Sequence, residues 1–417
     1  MKNNESRSTL MKRNSRSLVM RCVSRASRAS RTQIAKETRL SRAHVVGVVD
    51  ELVAEGELVE TASVSAGRGR PTTLLEINHK SISVGGVWIA ADSIELGVAG
   101  ADGEILARQT LSYSGDPSND LDAIAKAIRA CAMRSGKSLE TLRGVGVVVA
   151  GLVDPALGLI CVGTFCAQGF AGMPIAKLLH ERLGVPVYAD TDIRAAAVAD
   201  QWLSAKTERA LYVQFGDGVG AALVIGGELS GGATGAAPLL GHLPLGPSKG
   251  FLEPHISTSA FLRNLWPDVD TRKLGPRQIQ DMVRQGVDLV SQGDHDAVAA
   301  ISKVAEYMGL GIAVGIGMLD PQKVYVTGTL IDFFPEMMAG IIRRESIPLV
   351  DRLFRGVDIQ PLVGWRDFEF NGAFGLVLSS RHRAVNRDIS AQLMNPWSSE
   401  DALGADGRYG PAAVHSK

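Results

Sequence analysis

From Ser81 onward the chain alternates short β-rich runs with helical stretches, and this alternation restricts the body to layered α/β architectures. The β-rich runs are Val84–Ile89, Glu95–Ala99, Val145–Val149, Ala210–Val213, Ala221–Ile225 and Val324–Val326. Leu121–Ser135, Pro174–Leu183, Ile193–Leu203 and Ala297–Leu319 carry helical spacing. A strand cannot bury both faces alone, so strands interleaved with amphipathic helices predict a sheet covered by helices. Two such blocks with glycine-rich turns predict two lobes. The 417 residues leave room for two or three domains, and 45% hydrophobic content suits a packed core. Four cysteines (Cys22, Cys131, Cys161, Cys166) without framework spacing exclude a disulfide scaffold. No uncharged apolar run approaches the roughly 20 residues that span a bilayer. No leader pattern opens the chain, so the expected location is the cytoplasm.

Charge divides the chain differently. The net charge is zero, yet residues 1–80 hold 15 basic and 8 acidic side chains, and residues 1–45 hold 12 and 2. A basic front on an acidic body points to a polyanion met by the front alone, the alternative being a solvated charged tail. Met1–Arg16 reads as a mobile arm. Three helices follow. The first runs from about Ser17, with Leu18, Val19, Cys22 and Val23 on one face. The second starts near Thr32, a candidate N-cap. The third starts after the N-cap candidate Ser41, with Val45, Val48, Val49, Leu52 and Val53 at helical spacing and Gly56 ending it.

Helix, short turn and helix is the order of a helix-turn-helix, whose last helix fits a major groove. Its first turn would offer Ser41, Arg42 and His44 to base edges, while Arg31, Lys36 and Arg39 would sit against phosphates, and Thr32 is a further DNA-binding candidate. An ordinary three-helix packing unit is the alternative. Glu57–Glu60 and Thr73–Ile77 read as a strand pair. In the loop between them, Arg68-Gly69-Arg70-Pro71 puts two guanidiniums on a slim backbone suited to an A·T-rich minor groove.

These residues resemble a family. Ser30-Arg31-Thr32-Gln33-Ile34-Ala35, Leu40-Ser41, Val49-Asp50-Glu51-Leu52, Gly56 and Gly69-Arg70-Pro71 look like the winged-helix head of the ROK (repressor, open reading frame, kinase) transcription regulators. The resemblance runs through nearly all of residues 17–383. It implies a winged helix-turn-helix followed by a two-lobed α/β body that is actin-like, sugar-kinase-like and ribonuclease H-like. The expected divisions are 1–80 for the head, 81–185 and 186–383 for the lobes, with the last helix returning to the first lobe, and 384–417 for a disordered tail.

Gly216-Asp217-Gly218-Val219-Gly220 lies between two β-runs. Alternate glycines let backbone amides converge on an anion, although a glycine-rich hairpin reads the same way. With Gly235 and Gly241-His242 after it, the tract resembles the family's phosphate loop, vestigial here at Gly216, Gly218 and Gly220. The carboxylate of Asp217 would repel a γ-phosphate. Ala189-Asp190-Thr191-Asp192 resembles the family's Asn-Asp motif, in which the aspartate is the general base toward a sugar hydroxyl. Asp192 matches the base and Thr191 replaces the asparagine. A first-turn carboxylate favoured by the helix dipole is the plain alternative for Asp192.

By resemblance, Thr191, Asp192, His242 and Glu253 are the ligand-binding candidates, and Cys166 and Phe170 loosely match an Asn-aromatic contact. The family glutamate three residues before the histidine is replaced by Leu239. Where family kinases carry Asp-x-Gly-x-Thr, this chain has Asp92-Ser93-Ile94-Glu95, which argues against close nucleotide approach. The family's structural zinc takes the Gly-His histidine and three cysteines, and no cysteine follows Cys166. The expectation is therefore a non-enzymatic homodimeric or homotetrameric repressor, without zinc or ATP, that binds operator DNA and a sugar or sugar-derivative effector. An active ATP-dependent sugar kinase with a DNA-binding head is the competing expectation.

Overall fold

The computed structural model describes residues 7–64, 72–79, 81–90, 92–163, 165–203, 207–216, 218–232, 235, 237–246, 250–350 and 356–380. The loop bearing Arg68 and Arg70, Asp217 and the tail expected at 384–417 lie outside them, as do the side chains of Phe165 and Cys166.

The head opens with α1 (Arg7–Ala26), ten residues ahead of the expected start near Ser17. Its first turns lack an apolar stripe to announce them. The short β1 (Ala29–Ser30) leads into α2 (Arg31–Thr38) and α3 (Arg42–Ala54). Ser30, not Thr32, caps α2: its hydroxyl accepts the Gln33 amide at 3.2 Å. Ser41 caps α3 in the same way through the His44 amide, also at 3.2 Å. Each cap satisfies an amide that the helix leaves without a partner. β2 (Leu58–Val64) and β3 (Thr72–Ile77) pair antiparallel, and β1 adds to β3, which completes the wing.

The first lobe contains β4 (Ser83–Ile89), β5 (Ile94–Gly100), β6 (Ile105–Leu111), α4 (Pro117–Arg134), β7 (Leu142–Val149), β8 (Gly151–Asp154), β9 (Leu159–Gly163), α5 (Ile175–Leu183) and β10 (Val187–Thr191). Its sheet runs β6-β5-β4-β7-β10, so the sheet extends to Thr191, past the expected lobe boundary at 185. Every residue of β4 is buried, as expected of a strand covered on both faces.

α6 (Asp192–Leu203) crosses to the second lobe. There follow β11 (Arg209–Phe215), β12 (Val219–Ile225), β13 (Glu228–Ser230), α7 (Glu253–Ile256), α8 (Thr258–Leu265), α9 (Pro276–Ser291), α10 (His295–Leu319), β14 (Lys323–Thr327), α11 (Thr329–Phe333), α12 (Pro335–Val350), β15 (Asp358–Pro361) and α13 (Trp365–Ser380). The sheet runs β13-β12-β11-β14-β15. In each large sheet three antiparallel strands are followed by two parallel ones, in the same order. The two lobes therefore share one topology, although the sequence contains no short tandem repeat. α10 is long and apolar enough to cross a membrane by composition, but Ala300, Ile301, Val304, Met308 and Ile312 bury it in the second lobe's core.

α13 returns to lie on α6, β4 and β7. Close approach explains its glycines. A β-carbon at Gly372 would sit 2.7 Å from the Ala196 backbone nitrogen, and one at Gly375 would sit 2.8 Å from Ala199 Cα. The facing run Ala195-Ala196-Ala197 on α6 is equally slim.

Head and first lobe share a core. Val19, Ile34, Val49, Leu52 and Leu75 form one apolar cluster with Val84, Trp88, Phe370 and Phe374. Beside it, buried Glu57 pairs with Arg143 of β7 at 2.6 Å and with Arg16 of α1 at 3.4 Å. The connecting residues are tied down as well, with Ser81 Oγ donating to the Gly56 carbonyl at 2.6 Å.

Candidate functional site

Two regions carry the chemistry. In the head, α3 buries Val45, Val48, Val49 and Leu52 and exposes Arg42, Ala43, Val46, Gly47 and Asp50. The exposed side is narrow: a β-carbon at Gly47 would meet nothing within 4 Å, and Val46 is 42% exposed. An exposed valine beside a guanidinium suits a thymine methyl next to a hydrogen-bonding base edge. Val46 and Gly47 were not singled out from sequence. Their signal was present, since Val46 falls off the stripe that buries its neighbours.

Arg42, Thr32 and Arg39 are exposed, and Arg39 occupies the turn between α2 and α3 in a left-handed conformation (φ 58°). Ser41 spends its hydroxyl on the helix cap. Arg31 departs from expectation. The Arg31 guanidinium pairs with Asp50 at 2.9 Å and Glu60 at 2.8 Å, tying α2 to α3 and the wing. Its charge is already matched within the protein, so it is not a free phosphate contact. His44 is exposed, and its Nε2 lies 2.8 Å from Ser15 Oγ of α1, so the ring is anchored to the α1–α3 junction at one nitrogen. Arg42→Ala is accordingly expected to lower DNA affinity and relax base preference by about 1–3 kcal/mol at one position. Arg31→Ala is expected to act mainly on thermal stability. Fluorescence anisotropy on duplexes and a melt of each variant check the pair.

The second region lies where β10 ends and α6 begins. Asp192 opens α6, is buried, and accepts the Ile193 amide at 2.8 Å. Burial pushes its carboxyl up to about 7, with Asp190 adding repulsion, while hydrogen bonds from the Ile193 amide and the Gln214 side chain hold it back. Gln214 also donates to buried Glu369 of α13. Asp190 is matched by Arg194 Nε at 2.8 Å, and Arg194 reaches the Ala237 carbonyl at 3.4 Å. Thr191 Oγ1 accepts the Val153 amide at 3.2 Å, so this hydroxyl fastens the first lobe's β8.

The glycine tract between β11 and β12 runs into β12, which packs against α6. A β-carbon at Gly220 would sit 2.8 Å from Ile193 Cγ2. The turn is held from within, Gly216 N donating to Gly218 O at 3.0 Å, and from α7, where Glu253 Oε2 accepts the Val219 amide at 2.9 Å. Glu253, expected to meet ligand, thus buttresses the turn. His242 is exposed and its ring lies 5.6 Å from that of Phe251. Asp192, the glycine turn, Glu253 and Gly241 beside His242 therefore form one contact chain. Sequence reading passed over Gln214, Asp190 and Arg194, since nothing local marks a glutamine as the link between a carboxyl and a distant helix.

Asp92 stands at the β4–β5 turn, where family kinases would hold phosphate. Its carboxylate accepts Ser93 Oγ and the Gln280 side-chain amide of α9, both at 3.1 Å. A zinc ion does not fit the residues present. All four cysteines precede Gly241-His242, and no cluster of three metal-ligating side chains occurs among the described residues.

The sequence pattern of the ROK family matches residues 84–375. The chain is 24% identical over 352 residues to a xylose repressor from Caldicellulosiruptor bescii, covering 80% of this chain and 88% of that one. A ROK family transcriptional regulator described as a homologue of the Escherichia coli MLC protein superposes with a TM-score of 0.69 at 18% identity, covering 89% of this chain and 98% of the other. A ROK hexokinase from Thermus thermophilus superposes with a TM-score of 0.59 at 24% identity, covering 72% of this chain and 100% of its own. At these identities the two structures speak for the fold alone.

Proposed function

The chain belongs to the ROK family, and on that premise we propose that it is a DNA-binding transcriptional repressor of sugar metabolism or transport genes, relieved by a sugar or sugar derivative bound between the lobes. The observation that carries the reading is the winged head, whose capped helix α3 presents Arg42, Ala43, Val46 and Gly47 to solvent ahead of a kinase-like body. The name of the similar xylose repressor points the same way. A dimer would place two α3 helices about one DNA turn apart on a pseudo-palindrome, and a ligand that prefers one lobe arrangement would change that spacing. Asp192, with a carboxyl near neutrality, is suited to donate to or accept from a sugar hydroxyl.

Selection of bound duplexes from random sequence, with the full chain and a panel of sugars including xylose, tests the reading. The expected result is an enriched pseudo-palindrome whose affinity falls with rising salt and with one sugar. Absence of any enriched or salt-sensitive duplex would overturn it.

Catalytic phosphoryl transfer is the second reading, and buried Asp192 beside the glycine turn favours it. Engagement of Asp92 by Gln280 weighs against it, because that carboxylate is already hydrogen-bonded across to α9. Sugar-dependent ADP release from ATP and magnesium would restore the enzyme. We further propose that the protein works without zinc. Elemental analysis of the purified chain should find far less than one zinc per protomer, and a stoichiometric value would overturn this.

A further inference from the structure

A cavity of about 360 Å³ opens between α7, α8 and α10, lined by His255, Arg263, Asn264, Lys303 and Tyr307. None of the cleft residues around Asp192 lines it. Its volume falls within the range of small-ligand sites. Its charge is one-sided. Arg263 and Lys303 project two cations, no lining residue is acidic, and neither cation is ion-paired among the described residues. The Arg263 guanidinium spends its hydrogen bonds on neutral oxygens, the Pro254 carbonyl at 2.6 Å and Thr271 Oγ1 at 3.5 Å. Arg272, whose charge adds repulsion at Arg263, is itself paired with Asp270. One wall is a stacked pair, the rings of His255 and Tyr307 lying 4.7 Å apart at 23°. Two unmatched cations, a side-chain amide and an aromatic wall around one small space are complementary to a compact dianion carried on a small polar body.

We infer that this cavity binds the phosphoryl group of a small metabolite and that its occupancy is transmitted to the glycine turn. The route is short. Arg263 grips the carbonyl of Pro254, the preceding residue Glu253 holds the Val219 amide, and Val219 opens β12, whose next residue Gly220 packs against Ile193 beside Asp192. An anion that draws Arg263 toward Lys303 pulls on α7 through the Pro254 carbonyl, next to the residue whose carboxylate holds the Val219 amide. The cavity is separate from the repressor reading, since none of the DNA-facing or cleft residues lines it; only the transmission reaches the cleft, through Glu253.

Calorimetric titration of the full chain with ribose 5-phosphate, inorganic phosphate and ribose tests the site. Saturable binding of ribose 5-phosphate and none of ribose is expected. Tighter binding of the ester than of inorganic phosphate identifies an organic phosphate, and equal binding identifies the free ion; both support the site. Arg263→Gln and Lys303→Gln, both at exposed positions, are each expected to weaken binding about tenfold or more, with a thermal melt of each variant confirming that it is folded. Lys303→Gln, which breaks no hydrogen bond among the described residues, should leave the melting temperature in place. Asp192→Asn should leave it unchanged, which separates this site from the cleft. Unaltered affinity in both cation variants, or no saturable binding of either phosphate probe, would overturn the assignment. Hydrogen exchange at Val219 should quicken on saturation with ribose 5-phosphate, because the pull on α7 loosens the hold of Glu253 on that amide, and an unchanged or slower rate would sink the transmission.

Discussion

Gly372→Leu is expected to cost on the order of 4 kcal/mol or more and to abolish DNA binding together with the folded state. The obstacle is backbone, not a pliable side chain. A β-carbon at this position would already lie 2.7 Å from the Ala196 nitrogen and 2.8 Å from the Ala195 carbonyl carbon, and α6 cannot retreat without disturbing Asp192 at its head. Gly372→Ala sharpens the test because two effects oppose each other. Alanine is the better helix former by about 1 kcal/mol, so an open site would gain stability. Here the close approach should win and leave a net loss of roughly 1–3 kcal/mol. Urea melts of the two variants decide the matter, and a more stable alanine variant would refute the packing account of α13.

The second large effect concerns Asp192 and pH. Its carboxyl stands at about 7 in the fold, well above the ordinary aspartate value of 3.8. A raised acid is stabilising only while protonated. Its contribution is complete below the unfolded value and is lost as pH rises toward the folded one. The facing groups are Asp190, which raises it, Gln214, which donates to it, and Arg194, which is committed to Asp190. Asp192→Asn removes the titration. Relative to the parent, the variant should therefore gain roughly 2–3 kcal/mol of stability between pH 5 and pH 8. Denaturant melts at the two pH values measure this difference, and parallel pH profiles would show that Asp192 is not held protonated by burial. Sugar binding should fall in the same variant, because the amide cannot serve as a carboxylate acceptor.

Much of the architecture was legible in the residues themselves. Ser41 and the valines of α3 announce a capped amphipathic helix, and its observed start follows that serine directly. The β-runs and helices read from periodicity lie inside the observed elements, apart from single residues at their ends, because burial of one stripe is a local property. α9 was legible but not read: Ile279, Val283, Val287 and Val290 mark its buried face. What escaped depends on partners far away in sequence. Arg31 looks like a free cation until Asp50 and Glu60 arrive through folding. Asp92 meets Gln280 from 188 residues away. The common strand order of the two lobes is also invisible along the chain, since it is preserved in hydrogen bonding rather than in residue identity. At the cleft, the position of Asp192 was readable as a motif, whereas its elevated carboxyl follows from how deeply α6 is covered.

The seam between head and body has a consequence for engineering. Val84, Trp88, Phe370 and Phe374 lie in one apolar cluster with α1–α3 residues, and Glu57 is clasped by Arg143 across the joint. Specificity cannot be exchanged here by cutting near residue 80 and splicing in another reader, because the graft would inherit half an oil-filled socket and a stranded acid. Retargeting this protein means repainting the solvent side of α3 in place, with the socket left intact.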